Sequence, residues 1–201
     1  MRRDLICICR RFVDSRRGVA AVEFAMIMPV LLILFLSSFD AGNGIAVYMK
    51  VRSATYTMAA VTNTYGINSY AISAADMTGI TNATTQVLAP YSSAPAAVTI
   101  SQIKATTNTK ATVSWSYSVN GTALTAGASY TLPTNFANTA CGSGDYSKTH
   151  ACYLILSQVS YTYTPLFGSF MTGPITLSDS LYVTPRISQC IQYNGTPSSC
   201  Q

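Results

Sequence analysis

The chain has 201 residues, 49% of them hydrophobic and only 9% charged, with a formal net charge of +5. That length suits one domain with a modest core, and the scarcity of charge (an average soluble domain has roughly 25%) speaks against both a charged disordered tail and an ordinary cytoplasmic enzyme. Residues 1–18 carry six Arg against two Asp, +4 of the +5, so the rest of the chain is nearly neutral and lacks the basic footprint of a nucleic-acid binder.

Immediately after the basic stretch, Val19 to Leu36 reads VAAVEFAMIMPVLLILFL, with Glu23 as its single charge. As a helix this run is about 27 Å long, close to the roughly 30 Å of a bilayer's hydrocarbon core. Arginines before it and none soon after predict a single-pass, N-in and C-out anchor in the lipid bilayer. A cleaved secretory signal has a shorter apolar region, and Ser37-Ser38-Phe39-Asp40 is a poor site for its peptidase. A plain signal anchor needs neither Gly18 nor Glu23. A carboxylate that moves to the centre of a membrane helix costs on the order of 2.5 kcal/mol or more, so Glu23 calls for a cation. Cleavage after Gly18 would create one, the α-amine of Val19, one helical turn from Glu23. In an assembly, the amine of one subunit would neutralise Glu23 of a neighbour. Pro29 removes the hydrogen bond to Ala25 and is expected to kink the helix.

The string RRGVAAVEFAMIMPVLLILFL closely resembles the N-terminus of the TadE-like pseudopilins, minor pilin-like proteins of the tight-adherence (Flp-type) pilus system. The matching features are the basic leader, Gly18, the pair Glu23-Phe24 and an apolar helix containing Pro29. The resemblance implies that a prepilin peptidase cuts the Gly18–Val19 bond and that Glu23 and Phe24 serve assembly. It also implies partnership with other pilins or pseudopilins and with the inner-membrane assembly platform. Glycine suits the cut position, since without a Cβ an extended backbone enters a protease cleft easily.

Beyond Leu36 the helix is expected to continue to about Thr62, with a possible bend at Ala41-Gly42-Asn43-Gly44. The spacing of Ile45, Tyr48, Met49, Arg52, Tyr56, Ala59 and Ala60 suggests a single stripe. Ser73-Ala74-Ala75-Asp76 has capping-box spacing, with Asp in place of the usual Glu. Met77, Ile80, Thr84, Val87 and Leu88 then repeat at helical intervals until Ala89-Pro90.

After Pro90 the period becomes two. Residues 97–105 alternate at first, with Val98 and Ile100 on one face. Val113, Trp115, Tyr117 and Val119 alternate with Thr112, Ser114, Ser116 and Ser118, the pattern of a half-buried antiparallel strand. Residues 153–164 and 180–187 complete a sheet of about four strands, and 120–152 and 165–178 read as loops. The stretch from Val159 onward also resembles the C-terminal part of TadE-like proteins, in its alternating Tyr, Pro165 and the Pro185-Arg186 pair.

Topology sorts the six cysteines. Cys7 and Cys9 fall in the leader, where palmitoylation is conceivable and a disposable pair is simpler. Cys141, Cys152, Cys190 and Cys200 fall beyond the membrane, where two disulfides are expected. The locally closed pairs, Cys141–Cys152 and Cys190–Cys200, are favoured, and crossed pairings remain open. His150 with Cys152 makes a poor zinc site in an oxidising compartment, and no third group completes a Cys–His nucleophile. His150 reads as a surface loop residue. No paired carboxylates, phosphate loop or nucleophile elbow is present, so neither an enzyme nor a cofactor or metal is expected.

The expected architecture is α+β and pilin-like. Residues 1–18 form a cleaved cytoplasmic leader and residues 19–62 a transmembrane and stalk helix. Residues 63–201 form a periplasmic or extracellular head, with a second helix packed on the sheet. The function implied is that of a minor pseudopilin in assembly of an adhesive pilus. The contrasting possibility is an unprocessed, membrane-anchored ligand-binding or sensor domain.

Overall fold

A computed structural model describes residues 17–67, 71–134, 136–141, 151–194 and 200. Residues 1–16, with Cys7 and Cys9, and His150 lie outside the described residues. One long helix, α1 (Arg17–Thr62), runs unbroken through Pro29 and through Ala41–Gly44. A second, α2 (Ala74–Gln86), follows. Strands β1 (Ala96–Ala105), β2 (Lys110–Val119) and β3 (Ser129–Thr131) precede the short helix α3 (Phe136–Cys141). Strand β4 (Tyr153–Tyr163), the single turn α4 (Ser169–Thr172) and strand β5 (Ile175–Val183) complete the fold. The class is α+β, with one antiparallel sheet in the order β3-β2-β1-β4-β5.

The sheet has five strands rather than about four. β3 is only three residues long, too short for a periodicity to show. β5 starts at Ile175, inside the expected loop, and stops at Val183, before Pro185. As an edge strand it leaves Ile175, Thr176, Ser178 and Ser180 exposed, so apolar alternation is faint where it begins. Proline, lacking an N–H, then ends it.

α2 begins as its sequence dictates. The Ser73 hydroxyl accepts from Asp76 N–H at 3.2 Å, and the Asp76 carboxylate accepts from Ser73 N–H at 2.9 Å and from the Ser73 hydroxyl at 2.6 Å. These bonds satisfy donors that the first helical turn leaves without a partner.

α1 packs over β4 and β5, and α2 packs against α1 and β1. The face that α1 buries is Val47, Val51, Ala54, Thr55, Met58, Ala59 and Thr62. The stripe suggested by sequence is for the most part the opposite one: Ile45, Tyr48, Met49, Arg52 and Tyr56 are exposed, and of its members only Ala59 is buried. The buried face is made of smaller side chains, and its threonines hide their polarity. The Thr55 hydroxyl donates to Val51 O at 3.0 Å and the Thr62 hydroxyl to Met58 O at 2.8 Å, so each presents its methyl as an apolar group.

The core has two parts. Val47, Val51, Met58, Met77 and Ile80 lie on Val98, Ile100, Trp115, Ile155 and Val159. A second cluster on the other face of the sheet joins Ile103, Val113, Leu132, Ala137, Leu154 and Leu156. A bulge in β2 decides which of the two Val113 joins. Gln102 pairs with Trp115 but Ile103 pairs with Val113, leaving Ser114 as the extra residue. Val113 therefore faces away from Trp115 and Tyr117, although strict alternation places all three on one side.

Candidate functional site: the N-terminal helix and its junction with the head

Residues 18–34 of α1 are all exposed, and the whole run to Phe39 carries large apolar side chains. It is the one helix among the described residues long and apolar enough to cross a membrane. Gly18, Val19, Glu23 and Phe24 occupy its first two turns, with Val19 56% and Phe24 62% exposed. Val19 and Glu23, four residues apart, share a face. A Cβ on Gly18 would meet nothing within 4 Å, so packing of the described chain does not require glycine there.

The helix becomes covered at Asp40, which is 7% exposed. Its carboxylate accepts three backbone N–H bonds from the β4–β5 connection: Leu166 at 3.1 Å, Phe167 at 2.9 Å and Gly168 at 2.7 Å. The Tyr163 hydroxyl donates to Asp40 O at 3.2 Å. Burial, with Asp40 as a neighbouring charge, raises the Tyr163 pKa above its ordinary value. The ring of Tyr163 lies over Gly44, where a Cβ would sit 3.5 Å from its Cε1. Phe39 meets Phe167 edge-on, with ring centroids 6.0 Å apart. In the sequence Asp40 stands out only as the end of a poor cleavage site, with no role in the head. The signal available was its position, a lone acid closing an apolar run.

At the far end of the head the segment after β5 is tied to the sheet. Gln102, fully buried, accepts Ile191 N–H at 2.7 Å on its side-chain oxygen, and Trp115 Nε1–H donates to Ile191 O at 2.9 Å. Ile72 forms a parallel bridge with Tyr193. Gln102 also escapes sequence reading, although it shares the parity of Val98 and Ile100 and so sits on the buried face. Cys190 is bonded to Cys200, and Cys141 to Cys152, with Cα atoms 5.7 and 5.9 Å apart. Among the described residues no group of three or more His, Cys, Asp or Glu is placed to hold a metal ion.

The chain thus presents two distinct surfaces, a bare apolar helix with one carboxylate and a neutral, disulfide-bonded head. No curated protein and no solved structure matches it. The stretch from Gly18 to Ala60, which holds the helix, Glu23 and the Asp40 junction, matches the family of TadE-like proteins.

Proposed function

We propose that the protein is a minor pseudopilin acting in assembly of a tight-adherence pilus for surface attachment. The observation that carries this reading is the family match over residues 18–60, which begins at Gly18. That match supports a role related to the pilus system, in a structural rather than an enzymatic capacity. A prepilin peptidase cuts after Gly18, a position where the fold itself makes no demand for glycine. Removal of the basic leader leaves Val19 as the N-terminus and residues 19–62 as the span and stalk. Residues 63–201 form the head, which stands in the periplasm and enters the pilus if the subunit is incorporated. Two disulfides fit that oxidising compartment.

In this reading Glu23 receives the Val19 amine of a neighbouring subunit. A pair buried in lipid on both sides is far more favourable than either charge alone. The outward stripe of Ile45, Tyr48, Met49 and Tyr56 is available to neighbouring pilins along the stalk. Mass spectrometry of the membrane-bound protein tests the processing step. Val19 is expected as the N-terminal residue in cells that contain the peptidase, and an intact leader there refutes the reading. Glu23→Ala is expected to insert normally but to impair piliation, and unchanged surface attachment in that variant removes the role given to the carboxylate.

A further inference from the structure

The exposed run from Gly18 to Phe39 is roughly 33 Å long at the helical rise, about the thickness of a bilayer's hydrocarbon core. Phe39 is 51% exposed, and Asp40, 7% exposed, is the first buried residue of α1, with Ala41 and Gly42 after it turned outward again. The β4–β5 connection does the covering, and its contacts with Phe39 and Asp40 fix Leu166 and Phe167 at the level where the apolar run ends. Both point an apolar group outward: Leu166 is 70% exposed and Phe167 39%.

The connections at this end of the head are uncharged, and Asp179 of β5 lies in the row of Val119, Val98 and Val159. Ala96 pairs with Tyr161 and Val98 with Val119, so β1 starts here and β2 and β4 finish here. The connections 87–95, 120–128 and 164–174 contain no Lys, Arg, Asp or Glu. Lys104 and Lys110 lie at the other end, where β1 turns into β2. The backbone of the exposed connection is also prepared for a dry setting. The N–H groups of Leu166, Phe167 and Gly168 are already taken by the Asp40 carboxylate and carry no further demand for water.

We propose that Leu166 and Phe167 insert into the lipid surface on the head's side of the membrane. They form a second bilayer contact beside α1, which seats the head on the membrane instead of leaving it to swing on its stalk. This rests on the reading of residues 18–39 as a membrane span.

The test uses the full chain in phosphatidylcholine bilayers whose acyl chains are brominated near the headgroup or near the middle. Leu166→Trp and, as an aromatic replacement that keeps the local packing, Phe167→Trp report the depth of the connection. Leu31→Trp reports the span, and the native Trp115, 5% exposed in the core, supplies the background. At least a two-fold drop in the added fluorescence is expected for Leu166→Trp and Phe167→Trp with the shallow quencher, and for Leu31→Trp with the deep one. Quenched Leu31→Trp beside unquenched Trp at both 166 and 167 overturns the proposal. Protection of those two from aqueous iodide without quenching by lipid also overturns it, and assigns the surface to a protein partner. Leu31→Trp left unquenched refutes the span, and the proposal with it.

Discussion

Asp40 is the residue on which the junction between helix and head turns. Its carboxylate holds three amides that have no other role in the sheet. Asp40→Ala leaves those N–H groups without their acceptor in a part-buried site, a loss of about 1–3 kcal/mol. In detergent-solubilised protein the expected outcome is a lower unfolding midpoint with faster amide exchange at 166–168. Unchanged exchange at those amides contradicts the role given to Asp40. Asp76 provides a test by titration. The Ser73 hydroxyl, the Ser73 backbone N–H and Tyr65 all stabilise its ionised form, so its pKa lies below the ordinary 3.8. A carboxyl lowered in the folded state contributes stability that is complete above the unfolded value and fades as pH falls through the folded one. The Asp76 carboxyl signal in NMR is therefore expected to titrate below 3.8 and to shift upward in Ser73→Ala. A midpoint at or above 3.8 in the unmodified chain disproves the capping arrangement in solution.

Among the elements, α1 carries two stripes with opposite fates. Met58 is fully buried and Met49 is 61% exposed, though both fall at helical positions that suit a core. Met58→Ala is expected to cost about 2–5 kcal/mol, the usual range for truncating a buried methionine. Met49→Ala is expected to stay within about 0.5 kcal/mol, as for a surface site. Denaturant midpoints of the two variants decide which face meets the sheet, and equal losses contradict the packing described. The capping box of α2 was legible because it is local: Ser73 and Asp76 lie three residues apart and need nothing else. The face of α1 was not legible, because both stripes satisfy the same period and only the sheet chooses between them. Its choice favours small and β-branched side chains, which let the helix approach closely.

For the molecule as a whole, the disulfides close two local loops of the head, and the second also buries Ile191 in the core. Cys190–Cys200, ten residues apart, reaches back beside Gln102 and Ile191. Cys190→Ser with Cys200→Ser is expected to lower stability by about 2–3 kcal/mol on the chain-entropy account. Thermal unfolding under oxidising conditions measures this, and a melting temperature equal to that of the unmodified chain shows that the bond carries no such load. The charge distribution acts on the same scale. Residues 1–18 carry four of the five net positive charges, and the end of the head beside Asp40 carries none in its connections, so the chain is graded along its length from a basic N-terminus to an apolar helix to a nearly neutral head.

The amino-acid sequence by itself determined the elements whose cause is local or compositional: an apolar helix of membrane length, the capped α2, the strands β1, β2 and β4, and the family resemblance around Gly18 and Glu23. Each follows from a period, a cap or a run of one polarity within a short window. The tertiary structure decided what depends on a partner distant in sequence. It turned Val47, Val51 and Met58 inward, reversed Val113 across a bulge, and made an edge strand of the weakly patterned β5. It also gave Asp40 and Gln102 partners more than eighty residues away. A buried polar residue looks like an error until its partner is known, and that partner comes from the sheet and its connections.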